Sequence, residues 1–170
     1  MTLLIQSNAA NFSADRQGHA ITRGYFHRTA VNGDTAMGEV VYFKNHITHA
    51  SAHVFIDLNG VTIQSLPVNA MGWAVDQEDE NRISYSIEFT GLNNTKLTPK
   101  QIAAAITFIR SIPELKAIAN HRLVPAEIPA RKVGGWGTHA DVTAGYKIYG
   151  GHTDTISPVE LAVILKGVYA

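Results

Sequence analysis

The sequence contains no cysteine, its charges cancel, and it has no long apolar run. Without cysteine there is neither a disulfide framework nor a thiolate metal site, so any metal must be held by histidine and carboxylate side chains. The eight histidines supply enough imidazoles for such a site. A formal net charge of zero gives no support for a nucleic-acid partner or an acidic membrane surface. No apolar stretch approaches the roughly 20 residues that a membrane span needs.

The length of 170 residues and the hydrophobic fraction of 45% favour one globular domain with a real core. The first residues, MTLLIQSNAANFSADRQG, lack a basic start followed by a long apolar run, so we expect no secretory signal. We therefore expect a monomer made in a cytoplasm, without membrane insertion and without a nucleic-acid partner.

Strand-like and helix-like segments alternate along the chain, which predicts an α/β fold with a single mixed β-sheet flanked by helices. The Asn59-Gly60 pair predicts a hairpin whose two central residues both have positive φ. Capping boxes begin at Thr98 and Ser157. Strands are predicted over 21–30, 51–58, 61–66, 83–89 and 116–120, helices over 34–44, 98–112 and from 157 onward, and loops over 68–81 and 122–155.

The glycine-rich stretch over 134–155 has no amphipathic period, and this predicts a functional loop rather than a core element. It carries His139, His152 and Asp154, side chains of the types that bind zinc. His27, near the end of a predicted strand, is the candidate third ligand. Two histidines and one carboxylate leave a tetrahedral zinc with one open position, as in catalytic sites.

Alternatives to this ligand set remain open at the level of the sequence. His27 would equally suit a hydrogen-bonded position at a sheet edge. His152 could itself be the ligand, with Asp154 orienting it. His121 is a substitute for His139, and Asp141 is expected to cap a helix or orient a ligand.

Glu88 is the candidate acid and base. In ISYSIEF the alternation of a strand puts Ser84, Ser86 and Glu88 on one face. This carboxylate would either face water or, beside a metal, transfer protons. His53 is expected to have a structural role.

The ordered segments YFHRTA, SAHVFIDLNGVTIQSLP, GW, NRISYSIEFTG, THAD and GGHTD resemble the zinc-dependent N-acetylmuramoyl-L-alanine amidases of type 2. This family is related to peptidoglycan recognition proteins and includes phage endolysins. The resemblance covers about residues 21 to 155. It implies a mixed sheet flanked by helices and hydrolysis of the amide between N-acetylmuramic acid and L-Ala in peptidoglycan.

The resemblance also implies site roles. It assigns one Zn²⁺ per chain to His27, His139 and Asp154, and catalysis to Glu88. His152 falls where many relatives have a lysine, and we expect it to stabilise the oxyanion. Trp73 and Trp136 are candidate substrate contacts, although Trp73 would equally suit the core.

Two departures from the family pattern affect substrate contacts: Trp73-Ala74 replaces Trp-His, and Asp154-Thr155-Ile156 replaces Asp-Pro-Gly. We expect a single catalytic domain over 1–170, with its core at about 21–169 and no separate wall-binding module. We expect a phage or prophage endolysin that acts on the cell wall after release. The alternatives are a peptidoglycan-binding module without turnover and an amidase acting on soluble muropeptides.

Overall fold

A six-stranded mixed β-sheet forms the centre of the computed structural model, which describes residues 3–4 and 11–170. The strands are β1 (Leu3–Leu4), β2 (Phe12–Ser13), β3 (Arg23–Arg28), β4 (Val54–Ile56), β5 (Thr62–Gln64), β6 (Met71–Gly72), β7 (Ser84–Phe89) and β8 (Gly135–Thr138). The order in the sheet is β1-β5-β4-β7-β3-β8, in which only β4 and β5 pair antiparallel. Strands β2 and β6 form a separate antiparallel pair. The predicted fold class is confirmed.

Six α-helices accompany the sheet in the described part of the chain. They are α1 (Ala36–Phe43), α2 (Glu78–Ile83), α3 (Pro99–Ser111), α4 (Pro113–Lys116), α5 (His139–Tyr146) and α6 (Pro158–Tyr169). The capping boxes predicted at Thr98 and Ser157 are both present and begin α3 and α6. Among the described residues, no helix is long and apolar enough to cross a membrane.

The two faces of the sheet differ in polarity because side chains alternate along each strand. On β7, Tyr85, Ile87 and Phe89 join the main core, which also contains residues of α3 and α6. The alternate positions, including Ser86 and Glu88, are buried polar groups on the opposite face. The polar face of the central strands is therefore where a site can form.

Several local predictions were wrong. The hairpin after β4 forms, but only Gly60 has positive φ, at +79°, and its amide donates to the Asp57 carbonyl at 2.8 Å. This is a type I turn followed by a left-handed glycine rather than the predicted two-residue turn. The strand predicted over 116–120 does not form in this described region, where Pro113 instead starts the short helix α4.

The predicted loops at 68–81 and 122–155 also contain regular structure. The first holds β6 and the start of α2, and the second holds β8 and α5. Strand β8 was missed because two of its four residues, Gly135 and Gly137, are glycines, which are depleted in strands. Pairing with β3 stabilises it instead.

A fully buried ion pair ties β3 to α2. Arg23 Nη1 lies 2.9 Å from both carboxylate oxygens of Glu80, and both side chains are completely buried. The hydroxyls of Tyr25 and Tyr146 also donate to Glu80, at 2.8 and 3.0 Å. The Glu80 carboxylate is therefore held by donors from two other elements, β3 and α5.

We expect Arg23→Met to lower the free energy of unfolding by about 3–5 kcal/mol, because it removes the buried cation that is hydrogen-bonded to Glu80 and leaves, among the described residues, only Arg131, at 3.9 Å. Urea unfolding followed by circular dichroism measures this. Arg82→Met is the matched control, since Arg82 pairs at the surface with Glu78 and Asp79. Exposed ion pairs contribute little to stability. Equal effects of the two substitutions would contradict the expectation.

Candidate metal centre and active site

Strand pairing places His27 beside Glu88. Strands β3 and β7 run parallel with His27 and Glu88 as Cα partners, so their side chains project from the same face. His27 is 1% exposed and Glu88 is 8% exposed. The distance between His27 Nδ1 and Glu88 Oε1 is 3.9 Å.

His139 reaches the same face as the first residue of α5, directly after the edge strand β8. The hydroxyl of Thr138 accepts a hydrogen bond from the Asp141 amide at 3.4 Å, and Asp141 Oδ2 accepts one from the Thr138 amide at 2.8 Å. This reciprocal capping fixes the start of the helix. Asp141 therefore acts as a cap, as the sequence predicts, and its carboxylate also pairs with Arg122.

The segment after α5 folds back and places Asp154 beside His27 and His139. Its path is held by a hydrogen bond from the Thr143 hydroxyl to the His152 carbonyl at 2.6 Å and by one from the Ala140 amide to the Asp154 carbonyl at 3.2 Å. The Arg28 amide also donates to Asp154 Oδ2 at 3.2 Å. Contacts from α5 and from β3 thus fix the position of Asp154.

The three candidate ligands meet at this carboxylate. Asp154 Oδ2 lies 3.3 Å from His27 Nδ1, and Asp154 Oδ1 lies 2.9 Å from His139 Nδ1. The potential ligand atoms of the three residues all lie within 4.8 Å of one another. Two imidazole nitrogens and one carboxylate oxygen are a zinc-type donor set with room for a further ligand. The residues present therefore fit a metal ion.

Electrostatics favour the protonation states that metal binding needs. Burial opposes ionisation of Asp154, but hydrogen bonds from His139 and His27 outweigh it and hold the pKa of this carboxyl below its usual range. Burial also lowers the pKa of His27, which favours the neutral imidazole. An ionised carboxylate and neutral imidazoles are the metal-binding forms.

Glu88 is shifted in the opposite direction. Burial first, then the nearby charges of Asp154 and Glu39, raise the pKa of Glu88 well above its usual value. Its Oε2 is buried and has no hydrogen-bond partner among the residues that the structure describes. A carboxyl with these properties is suited to accepting and returning a proton.

The site forms part of the floor of an open cleft of about 770 Å³. The rim includes Trp73, Asp76 and residues of α1. His152 is exposed, and its ring stacks on that of His139 with centroids 5.1 Å apart and an interplanar angle of 13°. His152 therefore lies beside the three converging residues but outside the cluster itself.

The two tryptophans have different surroundings. Trp73 lines the cleft, half-buried, with its indole N–H 3.3 Å from Ser13 Oγ. Trp136 is completely buried and stacks on Phe26 with centroids 5.2 Å apart. The expectation that Trp136 lines the substrate groove is therefore wrong, because the alternation of β8 turns its ring into the core.

The remaining histidines considered from the sequence lie apart from the cluster. His121 Nε2 pairs with Glu127 at 2.9 Å, so it does not replace His139. His53 is buried, accepts a hydrogen bond from the Ser86 amide at 3.1 Å and contacts the Ala70 carbonyl. This is the structural role expected for His53.

Sequence reasoning missed Glu39, which lines the cleft although it is 3% exposed. A signal was present in the sequence. Ala36, Glu39 and Val40 form the buried stripe of α1 at helical spacing. A carboxylate on such a stripe is unusual, because buried acids are rarely left unpaired.

Comparison with known proteins assigns the chain to a family. The family profile for N-acetylmuramoyl-L-alanine amidase matches residues 14–157. The chain belongs to the N-acetylmuramoyl-L-alanine amidase family. As a member of this amidase family it is an enzyme, and the resemblance read from its motifs is confirmed.

Solved structures share the fold of this amidase. One is the Staphylococcus aureus hydrolase AmiA in complex with its ligand, with 20% identity, a TM-score of 0.71, and coverage of 99% of this chain and 83% of that one. Another is a mutant endolysin from Bacillus subtilis, with 21% identity, a TM-score of 0.62, and coverage of 99% and 98%. A third is the amidase LysC from Clostridium intestinale, with 16% identity, a TM-score of 0.59, and coverage of 95% and 94%. A comparison with curated protein sequences gives no significant match.

Proposed function

We propose that this amidase uses one zinc ion to hydrolyse the amide between the lactyl group of N-acetylmuramic acid and L-Ala in peptidoglycan. The observation that carries the proposal is the meeting of His27, His139 and Asp154 within 4.8 Å, with Glu88 beside them on the floor of an open cleft.

His27, His139 and Asp154 would hold the ion. The Nδ1 atoms of both histidines already face the carboxylate oxygens of Asp154. When bound, zinc supplies a Lewis acid that polarises the substrate carbonyl and lowers the pKa of a water molecule to about 7. The backbone amide of Arg28 holds Asp154 in the orientation that both histidines require.

Glu88 transfers the proton. Its carboxylate takes the proton of the attacking water as the C–O bond forms, and returns it to the nitrogen of the departing L-Ala as the C–N bond breaks. The pairing of β3 with β7 fixes this carboxylate next to His27. Burial keeps Glu88 largely away from bulk water, so its proton goes to the reacting groups.

His152 is suited to a different task. It stacks on His139 at the edge of the cluster and is exposed to the cleft, so its ring N–H can donate to the oxygen that becomes negative during attack. Trp73 presents a half-buried aromatic surface on the cleft wall to the glycan or peptide.

A biological setting follows from the same argument. An amidase with an open cleft can accept a polymer, and we propose a monomeric phage or prophage endolysin in which residues 1–170 act on the cell wall after release. Two of the solved structures that share its fold are named as endolysins.

Digestion of purified sacculi tests the proposal. The zinc-loaded protein is expected to release peptides with new L-Ala amino termini, and a chelator is expected to stop the release until zinc is restored. Wall binding without new amino termini would instead indicate a recognition module. A parallel assay on soluble muropeptides shows which form is preferred, and cleavage confined to the soluble form would contradict the endolysin setting.

A further inference from the structure

A second acidic feature, distinct from the three candidate metal ligands, lies in the same cleft on the wall formed by α1. Glu39 is 3% exposed and lines the cleft, yet its Oε1 has no hydrogen-bond partner within residues 3–4 and 11–170. The Thr29 hydroxyl neighbours Glu39 and opposes the rise of its pKa, but in the described part of the chain it makes no hydrogen bond of good geometry. No arginine, lysine or histidine among the described residues forms an ion pair with Glu39, which is rare for a buried acid.

Asp34 is the nearest charged neighbour of Glu39. Burial first, and then the Asp34 carboxyl within hydrogen-bond reach, raise the pKa of Glu39 to about 8. Asp34 also lines the cleft. Two carboxyl groups in contact repel when both are ionised, and a cation bound between them removes this repulsion.

Gly38 leaves space for this arrangement. A Cβ atom built on Gly38 would lie 2.7 Å from Asp34 Oδ1. Asp34 Oδ1 also accepts a hydrogen bond from the Thr35 amide at 3.3 Å. The Asp34 carboxylate therefore lies against the first turn of α1, in the space left by the missing side chain of Gly38.

We propose that Glu39 and Asp34 form a subsite for a protonated primary amine on the peptide part of the substrate. An ammonium group brings three donors, and Glu39 Oε1 still needs one. A divalent ion fits less well, because among the described residues only His27, His139 and Asp154 assemble three ligand groups. The inference rests on the proposed function, since it assigns substrate selection to the same cleft.

Direct binding of two matched ligands tests the subsite. The ligands are soluble muropeptides that differ only in the side-chain amine of the stem peptide, which is free in one and acetylated in the other. Glu88→Gln protein is used so that bound ligand is not cleaved, and calorimetry gives the dissociation constants. We expect the free-amine ligand to bind about tenfold more tightly, as for a charge-assisted hydrogen bond.

Three further substitutions in the Glu88→Gln background complete the design. Glu39→Gln keeps the shape of the side chain and is expected to make the dissociation constants of the two ligands similar. Gly38→Ala displaces the Asp34 carboxylate without changing the charge and is expected to reduce the preference. Glu114→Gln removes one exposed acid on α4, and this variant is expected to keep the preference for the free-amine ligand.

The proposal is overturned if both ligands bind the Glu88→Gln protein equally, if neither binds, or if the preference persists in the Glu39→Gln variant. An altered pH profile of turnover in a single Glu39→Gln variant, with the preference intact, would assign Glu39 to proton transfer instead. A failure of the proposed amidase reaction is distinguished by a different assay. In that case the zinc-loaded protein with Glu88 intact would release no peptide from sacculi.

Discussion

Replacing Glu88 with glutamine is expected to reduce amidase turnover by about 10²–10⁴-fold, the usual contribution of a positioned acid and base. Glutamine keeps the size and position of the side chain on β7 but cannot accept the proton of the attacking water. The structure predicts little effect on folding, because Glu88 Oε2 has no partner that the substitution would remove. Removing a buried, unpaired acid also relieves its repulsion with Asp154.

The measurement combines turnover on sacculi with metal content by mass spectrometry. Glu88→Gln protein should retain one zinc per chain, because Glu88 lies beside the ligand cluster without belonging to it. Glu114→Gln is the matched control for the loss of one glutamate and should keep full activity. Turnover within threefold of the parent would remove Glu88 from the mechanism, and loss of zinc would make it a ligand.

The second large effect concerns Asp154. We expect Asp154→Asn to weaken zinc affinity by more than about 100-fold, since even residues that only orient metal ligands contribute 10–100-fold. The asparagine side chain has no negative charge. Its single oxygen cannot accept hydrogen bonds from both His27 and His139, as the two carboxylate oxygens do. Amidase activity should fall with the metal content.

Competition with a zinc-binding dye measures this affinity, and Asp15→Asn is the control because Asp15 is exposed and accepts a hydrogen bond from the Gln17 amide. His152→Ala distinguishes the alternative ligand set. If Asp154→Asn retained zinc while His152→Ala lost it, His152 would be the third ligand and Asp154 would orient it.

The site was more predictable than the loops that carry it. Glu88 lies on a strand whose polar and apolar residues alternate in the sequence, and the pairing of β3 with β7 makes it the neighbour of His27. The helix caps at Thr98 and Ser157 were equally clear because they depend on residues only three positions apart. Signals of this kind depend on residues that are close together in the chain, so they can be recognised in a single sequence.

The missed elements depend on contacts between distant residues. Strand β8 forms because Trp136 fills the space over Phe26 and Gly24, where a Cβ on Gly24 would lie 2.2 Å from the indole ring. Helix α2 forms around Glu80, whose charge is met by Arg23 from β3. Neither partner is near in sequence, so the glycine-rich and acidic segments were interpreted as loops.

Glu39 illustrates a different limit. Its position on the stripe of α1 was visible, but whether a buried acid has a partner depends on every element packed around it. The structure shows that Glu39 Oε1 has none among the described residues. An unpaired buried acid facing a substrate cleft is therefore a feature that only the three-dimensional arrangement reveals.

Anomalous diffraction at the zinc edge, from crystals grown with stoichiometric zinc, tests the central claim most directly. We expect one strong peak per chain, about 2.0–2.2 Å from a nitrogen of His27, a nitrogen of His139 and an oxygen of Asp154. A peak held by other residues, or no peak in protein that still cleaves sacculi, would contradict it.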